Sequence, residues 1–286
     1  MVGLRSTLRF LGLPRLLHPL RGPITWACQR GVLSPAMRRV LPGSWEQEPF
    51  AVYGQGWQCR WFPTQFDHVG HWIFWHGVAR WEIGTPDILE QIRRSRCFVD
   101  AGAHTGLYSV VGCAIQPDLR VVAVEPVPRI CAALSNNIAR NGFQSRVTVV
   151  NAALTDSNGT VSFHQADDST MGSLAIHGYR GQRGRVIQVE CRTLDSLAEE
   201  LQIQPDFVKI DVEGFEHVVL GGACRVLREF RPRIVLESNP GDAAGEVTRI
   251  LPQHGYTFAN LTDGGPQRRS QIVAVEAYPN WLCMPS

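Results

Sequence analysis

The stretch CFVDAGAHTG, from Cys97 to Gly106, decides the fold. Its apolar first half predicts a buried strand that ends at Asp100. The small residues from Gly102 onward predict a tight turn into a helix, in which the backbone can approach a ligand closely. A strand, a turn and a helix in this order predict a nucleotide-like ligand at the carboxyl end of the strand.

The turn departs from the dinucleotide-binding pattern GxGxxG, because His104 and Leu107 occupy two of its glycine positions. The Asp100 carboxylate would also repel a pyrophosphate, whereas it would attract the ammonium group of a methionine moiety. The pattern therefore disfavours an NAD-dependent oxidoreductase. A structural turn that binds no ligand is the other alternative at this point.

Strands and helices alternate on both sides of this turn. Predicted strands cover 97–99, 121–124, 147–151, 206–210 and 234–236, and predicted helices cover 86–94, 129–141, 194–201, 217–228 and 246–254. Segments 161–164 and 186–190 predict an inserted hairpin, and 256–261 with 272–275 predict a terminal antiparallel pair. This alternation predicts an α/β fold with a doubly wound, mostly parallel sheet and an antiparallel last strand.

Acidic residues follow four of the predicted parallel strands, namely Asp100, Glu125, Asp211 and Glu237. Ligands of such sheets bind outside the carboxyl ends of the strands, so these acids are expected along one edge. A carboxylate at Glu125 can accept hydrogen bonds from both hydroxyls of an adenosine ribose. Asn151 and Ala152 end the third strand and are candidates for adenine contact, although a plain strand terminus explains them equally well.

The segment FVKIDVEGFEH (207–217) places three carboxylates, Asp211, Glu213 and Glu216, within six residues. Mutual repulsion can raise the pKa of one of them, which would prepare a general base, or a divalent cation such as Mg²⁺ can relieve it. His217 is a fourth candidate base. Glu216 has an alternative role, because an acid at a helix N-terminus is favoured by the helix dipole.

Four blocks of the chain, FVDAGAHTGLYS, VVAVEPVP, NAALTDSNG and FVKIDVEGFEHVVLGGA, resemble the FkbM family of methyltransferases. The resemblance begins near Gly77, with GVARWEIGTPDILEQI, and ends near Glu276. It implies a class I, Rossmann-like fold that binds S-adenosylmethionine, and usually O-methylation of sugar or natural-product hydroxyls. The family pattern often has Asn where His104 stands, so the resemblance assigns no role to that side chain.

The resemblance and the strand-end pattern together define a candidate site. The predicted cofactor-binding residues are Glu82, Asp100, Gly102, Ala103, His104, Gly106, Glu125, Asn151, Ala152 and Asp211. Because an aliphatic hydroxyl is a poor nucleophile, the reaction also needs a proton acceptor. The candidates are Asp211, Glu213, Glu216 and His217, of which the first two are favoured by their position at the strand end.

Residues 1–70 are predicted to form an N-terminal arm and an aromatic-rich cap of short strands and turns, and residues 71–286 the methyltransferase domain. Six tryptophans lie between positions 45 and 81, either in a core or, where exposed, stacked on a sugar. Residues 1–21 resemble a short amphipathic arm, which either packs on the core or contacts an anionic membrane surface. Arginines within its apolar stretch disfavour a signal peptide.

The remaining composition narrows the class of protein. A formal net charge of +2 gives no reason to expect nucleic-acid binding, and there is no apolar run long enough for a membrane span. Eight scattered cysteines without CxxC pairs indicate reduced thiols and a cytoplasmic location. The alternative to a methyltransferase of small-molecule or glycan acceptors is a non-catalytic cofactor-binding or interaction module, which strand-end acids disfavour.

Overall fold

The computed structural model describes residues 18–33, 41, 43–64, 67–166, 172–174, 184–238, 244–275 and 277–286. The chain forms two compact units, Met1–Glu82 and Ile83–Ser286. The unit boundary therefore follows Glu82, beyond the division predicted after residue 70. The predicted amphipathic arm lies outside the described residues as far as position 17.

In its described residues the first unit has two α-helices, α1 (Arg21–Gln29) and α2 (His68–His76), and an antiparallel pair of strands, β1 (Phe50–Tyr53) and β2 (Gln58–Trp61). The predicted short strands are present, but helix α2 lies where only strands and turns were predicted. Helix α2 begins at Asp67, whose side chain accepts a hydrogen bond from the backbone of Gly70, and it ends at Gly77, whose φ is 76°. These end signals were hidden in an aromatic-rich stretch with little periodicity.

Three of the six tryptophans between positions 45 and 81 are core residues, as the packing alternative predicted, and the other three are half-buried or exposed. Trp45 and Trp61 are fully buried, and Trp75 is buried with its indole N–H donating to Glu46. Trp75 therefore has no free face for a sugar. Trp72 is 37% exposed, and its ring stacks on His76 with a centroid separation of 4.3 Å.

The second unit is built around an eight-stranded sheet in the order β13-β12-β14-β11-β10-β3-β4-β5. Its strands are β3 (Cys97–Ala101), β4 (Arg120–Val124), β5 (Val147–Val150), β10 (Phe207–Ile210), β11 (Arg233–Glu237), β12 (Tyr256–Thr262), β13 (Gly265–Arg269) and β14 (Asn280–Pro285). The helices are α3 (Thr85–Arg93), α4 (Leu107–Ile115), α5 (Pro128–Arg140), α6 (Leu194–Glu200), α7 (Glu216–Gly221) and α8 (Ala244–Gln253).

The central strands from β5 to β11 are parallel, and β14 is antiparallel to both β11 and β12. This confirms the predicted class I methyltransferase fold with a mostly parallel sheet and an antiparallel last strand. The predicted pairing of 256–261 with 272–275 was wrong, because β12 pairs with β13 and β14 instead. The backbone N–H and carbonyl of Ile272 are hydrogen-bonded to the Thr248 hydroxyl and not to a neighbouring strand. The segment therefore contributes the buried Ile272 side chain to the core without pairing in the sheet.

The predicted hairpin belongs to a second sheet in the order β6-β9-β7-β8. Its strands are β6 (Ala153–Leu154), β7 (Gly159–Ala166), β8 (Gly172–Leu174) and β9 (Gly184–Arg192). Strands β7 and β9 pair in antiparallel fashion along their whole length. This sheet follows β5 directly and leads back through α6 to β10.

One predicted helix, 217–228, is interrupted. Helix α7 ends at Gly221, and the chain continues as a π-helical turn, Val226–Phe230. A side chain at Gly222 would approach the carbonyl oxygen of Thr155 to 2.1 Å, so the chain passes too close to its neighbour to tolerate any other residue there. The break depends on a contact between distant segments, which helical periodicity cannot reveal.

Candidate functional site

The turn after β3 is held in an unusual conformation. Gly102, His104 and Gly106 have φ values of 79°, 50° and 93°. A Cβ atom on Gly102 would lie 1.8 Å from the carbonyl oxygen of Asp211, so only glycine fits there. The backbone amides of Gly102 and Ala103 both donate to the carbonyl of Val124, at 3.0 Å. The turn is therefore wedged between the ends of β4 and β10.

Glu125 follows β4 and supports the same turn. Its two carboxylate oxygens accept hydrogen bonds from the backbone amides of His104, at 3.1 Å, and Val127, at 2.9 Å. The residue is 5% exposed, and burial raises the pKa of its carboxyl to about 7 against the opposing effect of these two bonds. Each oxygen still has a free lone pair, so the carboxylate can accept two further hydrogen bonds, as the two hydroxyls of a ribose require.

Asp100 lies within β3 and is buried. The Ser109 hydroxyl, at the start of α4, donates to its carboxylate at 2.6 Å. Burial raises the pKa of the Asp100 carboxyl, and the positive charge of Lys209 acts against this shift. Lys209 is the register partner of Asp100 on the neighbouring strand β10.

Lys209 connects Asp100 to a pair of acids at the ends of β10 and β11. Its ammonium group lies 2.7 Å from the Asp211 carboxylate and 4.9 Å from the centroid of the Tyr108 ring, although the residue is only 2% exposed. Burial acts to raise the pKa of Asp211, but the charge of Lys209 and a hydrogen bond with the Glu237 side chain outweigh it and lower the pKa. Asp211 is therefore an ionised acceptor at the sheet edge.

Sequence reasoning placed Glu237 at this edge but assigned neither Glu237 nor Lys209 to the site. One signal for Lys209 was available, since it is the only lysine of the chain and stands in an otherwise apolar strand. A buried lysine needs a partner charge. The partner could not be named before the registers of β3 and β11 against β10 were known.

The loop after β10 contains the other candidate bases. Glu213 and Gly214 have positive φ values of 55° and 93°. Glu216 is 3% exposed, and its Oε1 accepts the backbone amides of Val212, at 3.2 Å, and Gly214, at 3.3 Å. The Glu216 carboxylate thus holds the loop that precedes α7, whereas the alternative considered for it was an acid that caps the helix itself, and α7 has no side-chain cap among the described residues.

His217 is half-buried in the same loop region. Its ring is nearly parallel to that of Phe215, with 6.5 Å between the centroids. Its buried Nδ1 atom has no hydrogen-bond partner among the described residues. The described residues therefore give its Nδ1 no orienting partner of the kind that usually holds a catalytic histidine.

The remaining predicted cofactor residues differ in their surroundings. Asn151 is exposed, and its amide donates to the backbone carbonyls of Glu125 and Pro126, at 2.8 and 3.0 Å. Ala152 is fully buried in the main hydrophobic core, so its side chain has no free face for an adenine ring. Glu82 is the last residue of the first compact unit, whereas all the others belong to the second.

The site combines more buried negative than positive charge. Asp100, Glu125 and Asp211 interact electrostatically with one another, and Lys209 is the cation that the structure shows among them. A ligand with positive charge relieves such crowding, whereas a pyrophosphate increases it. S-Adenosylmethionine carries a sulfonium and an ammonium group and a ribose diol, so the residues present fit this cofactor.

The comparison with known families decides the class. The model of the "Methyltransferase FkbM domain" matches residues 100–258, which is more than half of the chain. The chain belongs to the FkbM methyltransferase family. The predicted resemblance is thereby confirmed, and this FkbM protein is an S-adenosylmethionine-dependent methyltransferase.

This FkbM methyltransferase is similar to several named methyltransferases. Methyltransferase sdnD of Sordaria araneosa is 25% identical over 206 residues, which are 62% of this chain and 80% of sdnD. Hexuronic acid methyltransferase AglP of Haloferax volcanii is 26% identical over 175 residues, 58% of this chain and 65% of AglP. The crystal structure of methyltransferase FkbM from Methylobacillus flagellatus KT has 20% identity and a TM-score of 0.44, and the match covers 66% of this chain and 43% of that chain.

The described residues offer neither a metal-binding cluster nor a membrane-spanning helix. The described residues contain no group of three or more His, Cys, Asp or Glu side chains arranged to hold a metal ion. Within the same part of the chain, no helix is both long enough and apolar enough to cross a membrane.

Proposed function

We propose that this FkbM methyltransferase transfers a methyl group from S-adenosylmethionine to a hydroxyl group of a sugar, glycolipid or natural product. The observation that carries the proposal is the set of carboxylates at the sheet edge, the buried Asp100 and Glu125 and the half-buried Asp211, with the Lys209 ammonium group beside them in the part of the chain that the structure describes. Sugar as the acceptor class is supported by the activity named for AglP.

The cofactor roles follow from the contacts already described. Glu125 accepts hydrogen bonds from the ribose hydroxyls, and Asp100 attracts the ammonium group of the methionine part. The turn from Gly102 to Gly106 places its backbone close to the cofactor. Asn151 fixes the loops after β4 and β5 beside the adenine. Bound S-adenosylmethionine supplies an electrophilic methyl group on a sulfonium.

Asp211 is the proposed proton acceptor, with Glu213 beside it as the second candidate. The ion pair with Lys209 and the hydrogen bond with Glu237 orient the Asp211 carboxylate and keep it ionised. As the substrate oxygen takes the methyl group, its proton passes to this carboxylate. We assign Glu216 to holding the loop, because its Oε1 accepts hydrogen bonds from two loop amides.

Cofactor binding tests the proposal first. Calorimetric titration of the wild-type protein with S-adenosylmethionine is expected to give micromolar binding, and NAD is expected to give none. Asp100→Ala and Glu125→Ala should each weaken S-adenosylmethionine binding by at least tenfold, because each removes a buried carboxylate contact. A matched control is Glu190→Ala, an exposed acid on β9. Equal binding by all four proteins would contradict the assigned site.

Catalysis is tested by Asp211→Asn and Glu213→Gln. Transfer of a radiolabelled methyl group to a panel of glycosides should fall by roughly 10²–10⁴-fold in Asp211→Asn, the usual contribution of a positioned base. Its affinity for S-adenosylmethionine should stay within about threefold, since the cofactor contacts remain. His217→Gln serves as a comparison and should retain activity. Full turnover in both acid variants would remove Asp211 and Glu213 from the mechanism.

Three finer proposals are kept from the sequence. A bound Mg²⁺ ion would reduce the repulsion between the crowded acids, and loss of activity in EDTA that is restored by Mg²⁺ would support this proposal.

The proposal of a cytoplasmic location rests on the eight cysteines, none of which forms a disulfide, and is tested by cell fractionation. Peripheral membrane contact by residues 1–21 rests on their arginines, and sedimentation with anionic vesicles tests it.

A further inference from the structure

A cavity of about 460 Å³ lies at the end of the sheet that carries β12, β13 and β14. Its lining includes Asp263, Gln267, Arg269, Val273, Tyr278 and Trp281. The volume is in the range of small-molecule binding sites. None of these residues belongs to the cofactor site described above.

Part of the cavity lining lies at the edge of the sheet that carries Asp211. Strand β12 is parallel to β11, because both are antiparallel to β14, so its C-terminal residue Thr262 lies at the carboxyl edge. Trp281 on β14 is two strands away from β10, which corresponds to about 10 Å. Arg269 on β13 is four strands away from β10, which corresponds to about 19 Å, and it pairs with Phe258 below the carboxyl edge. An acceptor that presents a hydroxyl to Asp211 therefore reaches Arg269 only if it is an oligosaccharide of several units.

Trp281 gives the cavity a buried hydrogen-bond donor. The residue is 0% exposed, and its indole nitrogen Nε1 has no hydrogen-bond partner among the described residues. A buried N–H group without an acceptor costs about 1–3 kcal/mol. A ligand oxygen would remove this cost.

Arg269 gives the cavity a cation. Its guanidinium donates to the Gln267 side chain at 2.9 Å and forms no ion pair within the part of the chain that the structure describes. Asp263 also lines the cavity, and its carboxylate accepts a hydrogen bond from the Tyr278 hydroxyl at 3.3 Å. A guanidinium with a free edge binds a planar carboxylate through two parallel hydrogen bonds.

We infer that this cavity is a second subsite for an oligosaccharide acceptor and that it holds a uronic acid unit some distance along the chain from the sugar that is methylated. Arg269 binds the carboxylate, Trp281 donates to a sugar oxygen, and the Tyr278 ring with Val273 contacts the apolar face of the sugar. The inference rests on the proposed function, since it extends the same acceptor from Asp211 across β11 and β14.

The test compares disaccharides that differ only in one carboxylate. Cellobiouronic acid and cellobiose, and digalacturonic acid and its neutral counterpart, are titrated calorimetrically into the full-length protein saturated with S-adenosylhomocysteine. At least one acid is expected to bind tenfold or more tightly than its neutral partner. Arg269→Gln should abolish this preference. Arg268→Gln is the matched control, because Arg268 is the adjacent exposed arginine of β13 and does not line the cavity.

A second variant tests the donor without emptying the core. Trp281→Phe keeps the ring but removes the N–H group, so it should weaken binding of both members of a pair several-fold while the acid preference remains; its thermal unfolding confirms folding. Absence of any acid preference, or a preference that survives Arg269→Gln, overturns the inference. The disaccharide titrations test the inference once the protein has been shown to bind S-adenosylhomocysteine. If the protein does not bind S-adenosylhomocysteine, the proposed function is overturned instead.

Discussion

Glu125 shows how burial changes the chemistry of a single residue. The sequence marked it as an acid at a strand end, where it was expected to be ionised and to accept ribose hydroxyls. In the folded chain it is almost fully enclosed, and its pKa rises from 4.5 to about 7. At neutral pH the cofactor-free protein therefore contains Glu125 in both protonation states.

This shift makes the stability of the cofactor-free protein depend on pH. A raised pKa means that the folded state binds the proton more tightly than the unfolded state. The stabilising contribution of the protonated Glu125 is therefore fully present below pH 4.5 and is lost as the pH rises to 7. Relative to Glu125→Gln, the free energy of unfolding should fall by about 3 kcal/mol across this window. Urea unfolding of both proteins at several pH values measures it, and parallel profiles would contradict the shift.

The β3 turn is the element on which the site depends. It brings Gly102 against the end of β10 and directs the His104 amide to Glu125, so one five-residue segment joins three strands. Its glycines were predicted from the need for a close approach to a ligand. The structure adds a second reason, because the backbone of Asp211 already occupies the space beside Gly102.

Substitutions of two glycines distinguish the effect of the steric contact at Gly102 from the effect of its positive φ alone. Gly102 and Gly142 have similar φ values, 79° and 75°, but nothing lies within 4 Å of a Cβ on Gly142. Gly142→Ala should cost about 1–2 kcal/mol, the usual penalty of the left-handed region. Gly102→Ala should cost several kcal/mol and abolish S-adenosylmethionine binding. Similar melting temperatures for the two variants would show that the turn can move away from β10.

At the scale of the whole molecule, all eight cysteines are free, and they differ in accessibility. Cys224 is exposed, Cys97 is half-buried, and the others are buried. Burial raises the pKa of the Cys59 thiol to about 12 and that of the Cys113 thiol to about 11, which keeps both protonated and unreactive. A disulfide framework therefore has no part in the stability of this chain.

Thiol titration checks this distribution. The native protein should react rapidly with one equivalent of a chromogenic disulfide reagent, and with eight equivalents after denaturation. Cys224→Ser should remove the rapid phase, whereas Cys113→Ser, a buried control, should leave it unchanged. Titration of fewer than eight thiols in denaturant would contradict the absence of disulfides. Several rapidly reacting thiols in the native protein would contradict the burial of the other cysteines.

By itself, the sequence determined the parallel sheet, the turn after β3 and the alignment of Asp100, Glu125 and Asp211 on one edge. These features depend on local patterns, since an apolar run ending in an acid places that acid at a carboxyl end wherever the strand lies. Only the tertiary structure decided the features that depend on contacts between distant segments. They are the insertion of β14 between β11 and β12, the break after α7, the burial that shifts Glu125, and the joining of Lys209, Asp211 and Glu237.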